Sequence, residues 1–408
     1  MELSDLEYLR GEGSALLARW TQEGPEDPLR SVQSLRKLAT PAQSTLIQEQ
    51  VTLRRKSQRK FGPRALSMLF TRKLSEQASG PEVAGFKADR MARGGVKSVA
   101  DLCCGLGGDA TSFALRGMDV HLLDADPVAV ELARHNLSTV DRAAASWQTS
   151  FLPEFSSPLE TDAFHLDPDR RTKGRDQGED RWDDKGLSPD SDGIRQIVSR
   201  FPRGAVKLPA AAPVGFLEIP GEHQYIGVHD ELRELVLWTG DLARPGALSV
   251  AESRDGVWEE FSSTLSDAED AFAEDPAESP LEWIHEPVKA LVRSHLFAAW
   301  GRDRGLQLLD NSMAWLTGRA ASSLLVKSYR VLAHGPLKAG SEESLLREAG
   351  RSCATVKKRG VAVVPDQMMR KLAGLPGEGA TLCYLRSRGV KWVVVAEPLD
   401  RSLAETEG

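Results

Sequence analysis

The stretch from Val99 to Ala110, VADLCCGLGGDA, constrains this chain more than any other. A short apolar run ends in an acid, Asp101, and passes through two cysteines into a knot of glycines, after which a helical pattern begins. Glycine lets the backbone approach a ligand where a Cβ would collide, and the helix start that follows favours a polar or anionic group. The surroundings set the fold. From about residue 97, strand-like runs alternate with helical ones: SVADLC then ATSFALRG, VHLLDAD then PVAVELARHNL, ASWQTS, DAFHLDPD then DGIRQIVSRF, and GAVKLPA. Such alternation predicts a parallel sheet with helices on both faces. GFLEIPGEHQYIGV and HDELRELVLWTGDL follow with no helix between them, so they are expected to pair antiparallel at one sheet edge.

The chain is long enough, at 408 residues, for more than one core. Residues 1–90 read as helical, with Thr40-Pro41 as a cap and first turn and Leu46, Ile47 and Val51 on one apolar face. Residues 91–245 hold the strand–helix alternation. Residues 246–324 read as a hairpin (LSVAES, GVWEEFS), a poorly structured acidic stretch to about 280, and one helix, PVKALVRSHLFAAWGRDRG. Residues 325–408 read as a small α/β module.

The net charge of −7 argues against a chain coated in nucleic acid, but the charge is uneven. Residues 51–73 carry eight basic side chains and no acid, and smaller basic knots lie at 170–175 and 356–360. These knots are candidate phosphate contacts. The four cysteines make no disulfide framework and have no zinc spacing, so the Cys103–Cys104 pair is expected to pack at a strand end and no metal is expected. No apolar run approaches a membrane span, and the acidic start lacks a signal-peptide layout. Cytoplasmic residence is the expectation; nothing in the sequence sets the oligomeric state.

Read literally, Gly105-Leu-Gly107-Gly108-Asp109-Ala110 fits the dinucleotide fingerprint, and Asp124 lies nineteen residues past the first glycine, where a ribose-binding acid belongs. The turn alone suits NAD or S-adenosylmethionine. Asp101 suits a cationic ammonium better than a pyrophosphate, and an Asp-Pro turn closes the fourth strand. The antiparallel edge and the absence of a Tyr-x-x-x-Lys proton donor also favour S-adenosylmethionine.

VADLCCGLGGDATSFALRG, HLLDADPVAVELARHNL and FHLDPDRR resemble motifs of class I S-adenosylmethionine-dependent methyltransferases. Together with LFTRKLSEQAS, EIPGE, LWTGDL, WIHEP and VKKRG, they make the whole chain similar to a bacterial group of such enzymes that ends in a THUMP-like domain. Part of the core also resembles trimethylguanosine synthase. The resemblance implies a Rossmann-like, seven-stranded sheet with one antiparallel edge strand, a helical N-terminal region and a THUMP-like α/β end. It implies S-adenosylmethionine as cofactor, held by Asp101, Cys103, Gly105, Gly107, Gly108, Asp109, Asp124, Ala125, Ser150 and Phe151. Ser150 stands where such enzymes often carry an adenine-binding acid, with Glu154 as its alternative.

Methyl transfer asks mainly for alignment. Asp167-Pro168 is the candidate turn, its carboxylate accepting a hydrogen bond from an exocyclic amine. In related enzymes an aromatic residue follows and stacks on a base; here Arg170 is the candidate substitute, and Arg171, Lys357, Lys358 and Arg359 are candidate RNA contacts. Carbon methylation is disfavoured because no cysteine lies near this turn in the sequence, and His165 is expected to be packed within its strand. His285 and Glu286 of WIHEP shape a substrate mouth or open a helix. The expectation is RNA methylation at a guanine amine. The alternatives are a small-molecule or protein methyltransferase and a non-catalytic RNA-binding protein.

Overall fold

In the computed structural model, residues 1–140, 145–153, 160–170, 186–244 and 246–399 are described. The chain divides into two compact units, residues 1–221 with 235–245, and residues 222–234 with 246–408.

The first unit begins with helices α1 (Leu3–Arg10), α2 (Ser14–Glu23), α3 (Pro28–Leu35), α4 (Pro41–Phe61), α5 (Arg72–Gln77) and α6 (Pro81–Arg93). Helix α4 starts where its cap dictates: the Gln43 amide donates to Thr40 Oγ1, and Pro41 takes the first helical position. Ile47 and Val51 are fully buried with Leu6, Leu9, Leu17, Leu35 and Leu69.

The alternating region then gives β1 (Ser98–Leu102), α7 (Gly108–Ala114), β2 (Asp119–Asp124), α8 (Pro127–Leu137), β3 (Ala145–Thr149), β4 (Ala163–Leu166), the short pair β5 (Asp169–Arg170) and β6 (Leu187–Ser188), α9 (Ser191–Val198) and β7 (Gly204–Leu208). Strand β8 (Glu222–Val228) belongs to the second unit, while β9 (Glu231–Thr239) returns to the first from Leu235 onward. The first unit's strands run β9-β7-β4-β1-β2-β3, all parallel except β9, which is antiparallel to β7. Strand order reverses between β1 and β4. That switch point, at the carboxyl ends of the strands, is where such sheets bind ligands.

The N-terminal region is fixed over this point by two buried amides. Gln50 donates to the Phe70 carbonyl and accepts from the Phe70 amide, at 2.7 and 3.0 Å. Asn136 accepts from the Leu69 amide at 2.8 Å and donates to the Leu69 and Leu106 carbonyls at 3.0 and 2.9 Å. Both side chains are completely buried. They seat residues 69–79 against the glycine turn, and Leu106 of that turn shares a core cluster with Leu53, Met68 and Phe70.

The second unit holds the hairpin of β10 (Ala247–Arg254) and β11 (Val257–Thr264), with β8 parallel to β10. The acidic stretch after it is not poorly structured. It forms α10 (Leu265–Ala273), because Thr264 caps the Asp267 amide and Phe272 packs edge-on against Phe297. After β12 (Trp283–Pro287), the single helix expected from 287–305 is two short ones, α11 (Lys289–Arg293) and α12 (Phe297–Asp303), broken at His295, whose φ is 57°.

Strands β13 (Gln307–Asp310), β14 (Met313–Gly318) and β15 (Val326–Pro336), helix α13 (Ser341–Glu348), strand β16 (Arg351–Lys358), helix α14 (Pro365–Lys371), and strands β17 (Glu378–Ser387) and β18 (Val390–Pro398) complete the unit. They form one sheet ordered β13-β14-β12-β15-β18-β17-β16. Period-two alternation on β17 and β18 sends Leu382, Tyr384, Val393 and Val395 to one face, with Leu345 and Leu346 of α13. Cys383, Leu385, Val394 and Ala396 go to the other, with Ile284 and Trp315.

Asn136→Ala would leave the Leu69 amide and two carbonyls buried without partners, a loss of about 2–4 kcal/mol. Denaturant titration should show that drop, while Glu49→Ala on the exposed side of α4 should stay within about 0.5 kcal/mol of the parent.

Candidate functional site

The strand register builds the site. Asp101 and His165 are direct partners in the β1–β4 pair, so their side chains leave the same face. Both are buried, and His165 Nδ1 lies 2.7 Å from Asp101 Oδ1. The other carboxylate oxygen, Oδ2, is buried without a hydrogen-bond partner among the described residues. Burial pushes the Asp101 carboxyl above its ordinary range, offset in part by His165.

His165 Nε2 is 3.3 Å from Nζ of Lys87, a fully buried lysine on α6. Lys87 in turn pairs with Asp109 at 2.8 Å, in the first turn of α7, and lies 3.5 Å from Ser79 Oγ. Burial alone would raise the Asp109 carboxyl, but the Lys87 ammonium holds it well below the usual range.

Above this row runs the glycine turn. Gly105 and Gly107 have φ of 53° and 79°, and a Cβ on Gly107 would meet Ala133 Cα at 3.0 Å. Cys103 also adopts a positive φ, 61°, which is costly for a side-chain-bearing residue and marks the turn as held by its surroundings. One such hold is Asp124 at the end of β2, which accepts from the Gly105 and Asp126 amides, both at 3.0 Å. Burial raises its carboxyl.

One register step beyond Leu166↔Val206 come Asp167 and Lys207, and Nζ of Lys207 is 2.7 Å from Asp167 Oδ2. Pro168 is buried. Asp169 receives Lys73 at 3.0 Å and Gln77 at 3.3 Å, both from α5.

The structure thus gathers Asp101, Gly105, Gly107, Gly108, Asp109, Asp124 and Asp167 at the carboxyl ends of β1, β2 and β4. Ala125 is exposed just after β2; Ser150 and Phe151 follow β3, with Phe151 70% exposed. Cys103 approaches Asp167 in space though not in sequence. Burial and the carboxylates of Asp124 and Asp167 drive its thiol well above the ordinary range, which disfavours the thiolate a nucleophile needs. The side chain of Arg170, and Glu154, Arg171 and the rest of the 171–175 knot, lie outside the described residues.

One expectation needs correcting here. Lys357 and Lys358 sit on strand β16 rather than in a loop, and Lys357 is drawn in by Glu286 at 2.6 Å and lies over the Tyr329 ring. WIHEP is itself strand, β12, which leads through Val288 into α11, with His285 buried between Ser328 Oγ and the Arg319 carbonyl and pushed down to about 4 by burial. Part of the basic run 51–73 is engaged within the protein, although Arg54 alone of its eight basic side chains is buried. Arg54 and Arg55 donate to backbone carbonyls, Lys56 pairs with Glu76, and Lys73 pairs with Asp169. The sequence reading passed over Lys87 and Lys207. Their signal was a lysine on the core-facing side of an amphipathic helix and another inside an apolar strand.

The chain has the class I methyltransferase fold and a C-terminal THUMP-like domain, and its relatives support S-adenosylmethionine-dependent methyl transfer. The THUMP domain-like family model matches residues 326–398. The chain is 29% identical over 338 residues to an uncharacterized S-adenosylmethionine-dependent methyltransferase of Mycobacterium tuberculosis, covering 79% of this chain and 87% of that protein. It shares its fold with a Porphyromonas gingivalis W83 protein designated a methyltransferase: TM-score 0.77, 16% identity, 94% of this chain and 98% of that one. The residues present fit the cofactor of this class, since the buried, unpartnered Oδ2 of Asp101 calls for a cation, and a Cβ at Gly105 or Gly108 would meet nothing closer than 3.6 Å. Among the described residues no helix is long and apolar enough to cross a membrane, and no cluster of three metal-ligating side chains occurs.

Because burial raises the Asp101 carboxyl and it must be ionised to hold an ammonium, affinity for S-adenosylmethionine should fall as pH falls, with a proton released on binding wherever the free protein holds Asp101 protonated. Calorimetry in buffers of different ionisation heat reads this directly; Asp101→Asn should abolish the release and weaken binding at least about tenfold. Gly107→Val should remove binding while the melting curve stays cooperative.

Proposed function

We propose that this methyltransferase modifies RNA, with an exocyclic amine of guanine as acceptor. The observation that carries the reading is Asp167, set at the carboxyl end of β4 beside Asp101's strand, on a turn stiffened by buried Pro168. Lys207 takes Oδ2 and fixes the carboxylate, so Oδ1 is the oxygen that accepts an N–H from the acceptor amine and turns its lone pair toward the methyl group. Bound S-adenosylmethionine supplies the electrophilic methyl. The THUMP-like match supports an RNA substrate, and Lys358 and Arg359, both exposed, are the residues of the 356–360 knot available for phosphate. A cytoplasmic enzyme fits this chemistry. Asp169 favours a second reading: it stands one residue before the aromatic's position, which Arg170 takes, and it is held by Lys73 and Gln77, an arrangement that suits a small-molecule acceptor equally well.

Purified protein with methyl-labelled cofactor should label RNA, and digestion should place the label on guanosine. Asp167→Ala should cut kcat at least about 100-fold without changing cofactor affinity. Label on free nucleosides but not on RNA would favour the second reading; label on neither would leave a non-catalytic RNA-binding protein. Replacing Lys358 and Arg359 together by alanine should reduce the log–log salt slope of RNA binding by about 1.5. An unchanged slope would assign both to solvated surface.

A further inference from the structure

Four side chains form an unbroken row beneath the glycine turn: Asp101, His165, Lys87 and Asp109. All are buried, and three elements besides α7 supply them: β1, β4 and α6. Burying two carboxylates and an ammonium is costly unless the geometry satisfies them, so a purely structural role would be served as well by apolar packing. The chemistry of the row is directional. A lysine ammonium has three donors and no acceptor, and the groups facing Lys87 include Asp109 Oδ1, its ion-pair partner at 2.8 Å, His165 Nε2 at 3.3 Å and Ser79 Oγ at 3.5 Å. Facing a donor, His165 Nε2 must carry the lone pair. The ring proton therefore sits on Nδ1, where it donates to Asp101 Oδ1.

We propose that Lys87 and His165 are positioning residues for the cofactor: Lys87 fixes the His165 tautomer, and His165 fixes Asp101 so that its second oxygen is presented to the cofactor's ammonium. The proposal rests on the reading that the glycine turn binds S-adenosylmethionine. With His165 neutral, two carboxylates and one ammonium leave the row with one net negative charge, which a cation completes. The charged groups around Asp101 are His165 from β4, Asp109 from α7 and Asp167 beyond β4, and around His165 they are Lys87 from α6 and Asp109. If Lys87 is lost, Nε2 is free to take up a proton. The resulting imidazolium would neutralise Asp101 from within and compete with the cofactor's cation.

The test has two arms. Nitrogen-15 spectra of the full-length protein, with the His165 signals identified by their loss in His165→Asn, should show a neutral ring protonated on Nδ1 at neutral pH. A ring protonated on Nε2, or on both nitrogens, would overturn the proposal whether or not the cofactor binds. Calorimetry with S-adenosylmethionine should then find His165→Asn, whose amide can still donate to Asp101, within about threefold of the parent. His165→Leu, which cannot donate, should lose at least about tenfold. Lys87→Met paired with Asp109→Asn removes both charges together and keeps the row's volume; its affinity should fall more steeply toward acidic pH than the parent's. Equal affinities for the Asn and Leu variants, or a parallel pH profile for the double variant, would reduce the row to packing. If the parent protein itself fails to bind the cofactor while His165 shows the Nδ1 form, the cofactor reading fails and the tautomer assignment stands.

Discussion

The site depends on one buried carboxylate left half satisfied. Asp101 ends the central strand of the first unit's sheet and gives one oxygen to His165. Its other oxygen, closed off from water, has no partner among the described residues. Such a group is expensive unless something cationic completes it. The neighbourhood closes around that arrangement: parallel register places His165 opposite, a buried lysine lies against the imidazole, and a second carboxylate pairs with that lysine. The glycine turn passes directly over the row, with backbone conformations that glycine accepts and Cys103 tolerates only because Asp124 and the adjoining strands hold the turn in place.

The N-terminal helices are part of this apparatus. Gln50 and Asn136 bind the backbone of the 69–70 segment and of Leu106 with hydrogen bonds out of reach of water. The segment so seated delivers Ser79 to Lys87 and Lys207, and Lys73 and Gln77 to Asp169. Four of the eight basic residues in the run 51–73 are engaged here: two arginines donate to carbonyls, and two lysines pair with acids at the surface.

How much of this could be read from the sequence follows from the range of each interaction. The strand–turn–helix at 98–114 and the cap at Thr40 are local, so spacing and residue type reveal them. The antiparallel β9 was legible because no helix separates its run from the preceding one. Asp101, Asp124 and Asp167 stand at strand ends, where position alone suggests chemistry. Lys87 and Lys207 were missed because their meaning is non-local: each becomes a site residue only when register and helix docking bring it to a carboxylate. The same limit misled the reading of Lys357, whose ammonium reaches Glu286 on a strand that β16 does not pair with, and of the acidic stretch after 264, which a threonine cap and an aromatic contact hold as a helix.

The most direct test of the account is calorimetric titration of the intact protein with S-adenosylmethionine, S-adenosylhomocysteine and NAD in parallel. The account predicts binding of the first two at one site per chain and none of NAD. Binding of NAD, or of neither methyl donor nor its product, would contradict the assignment of the glycine turn and of Asp101.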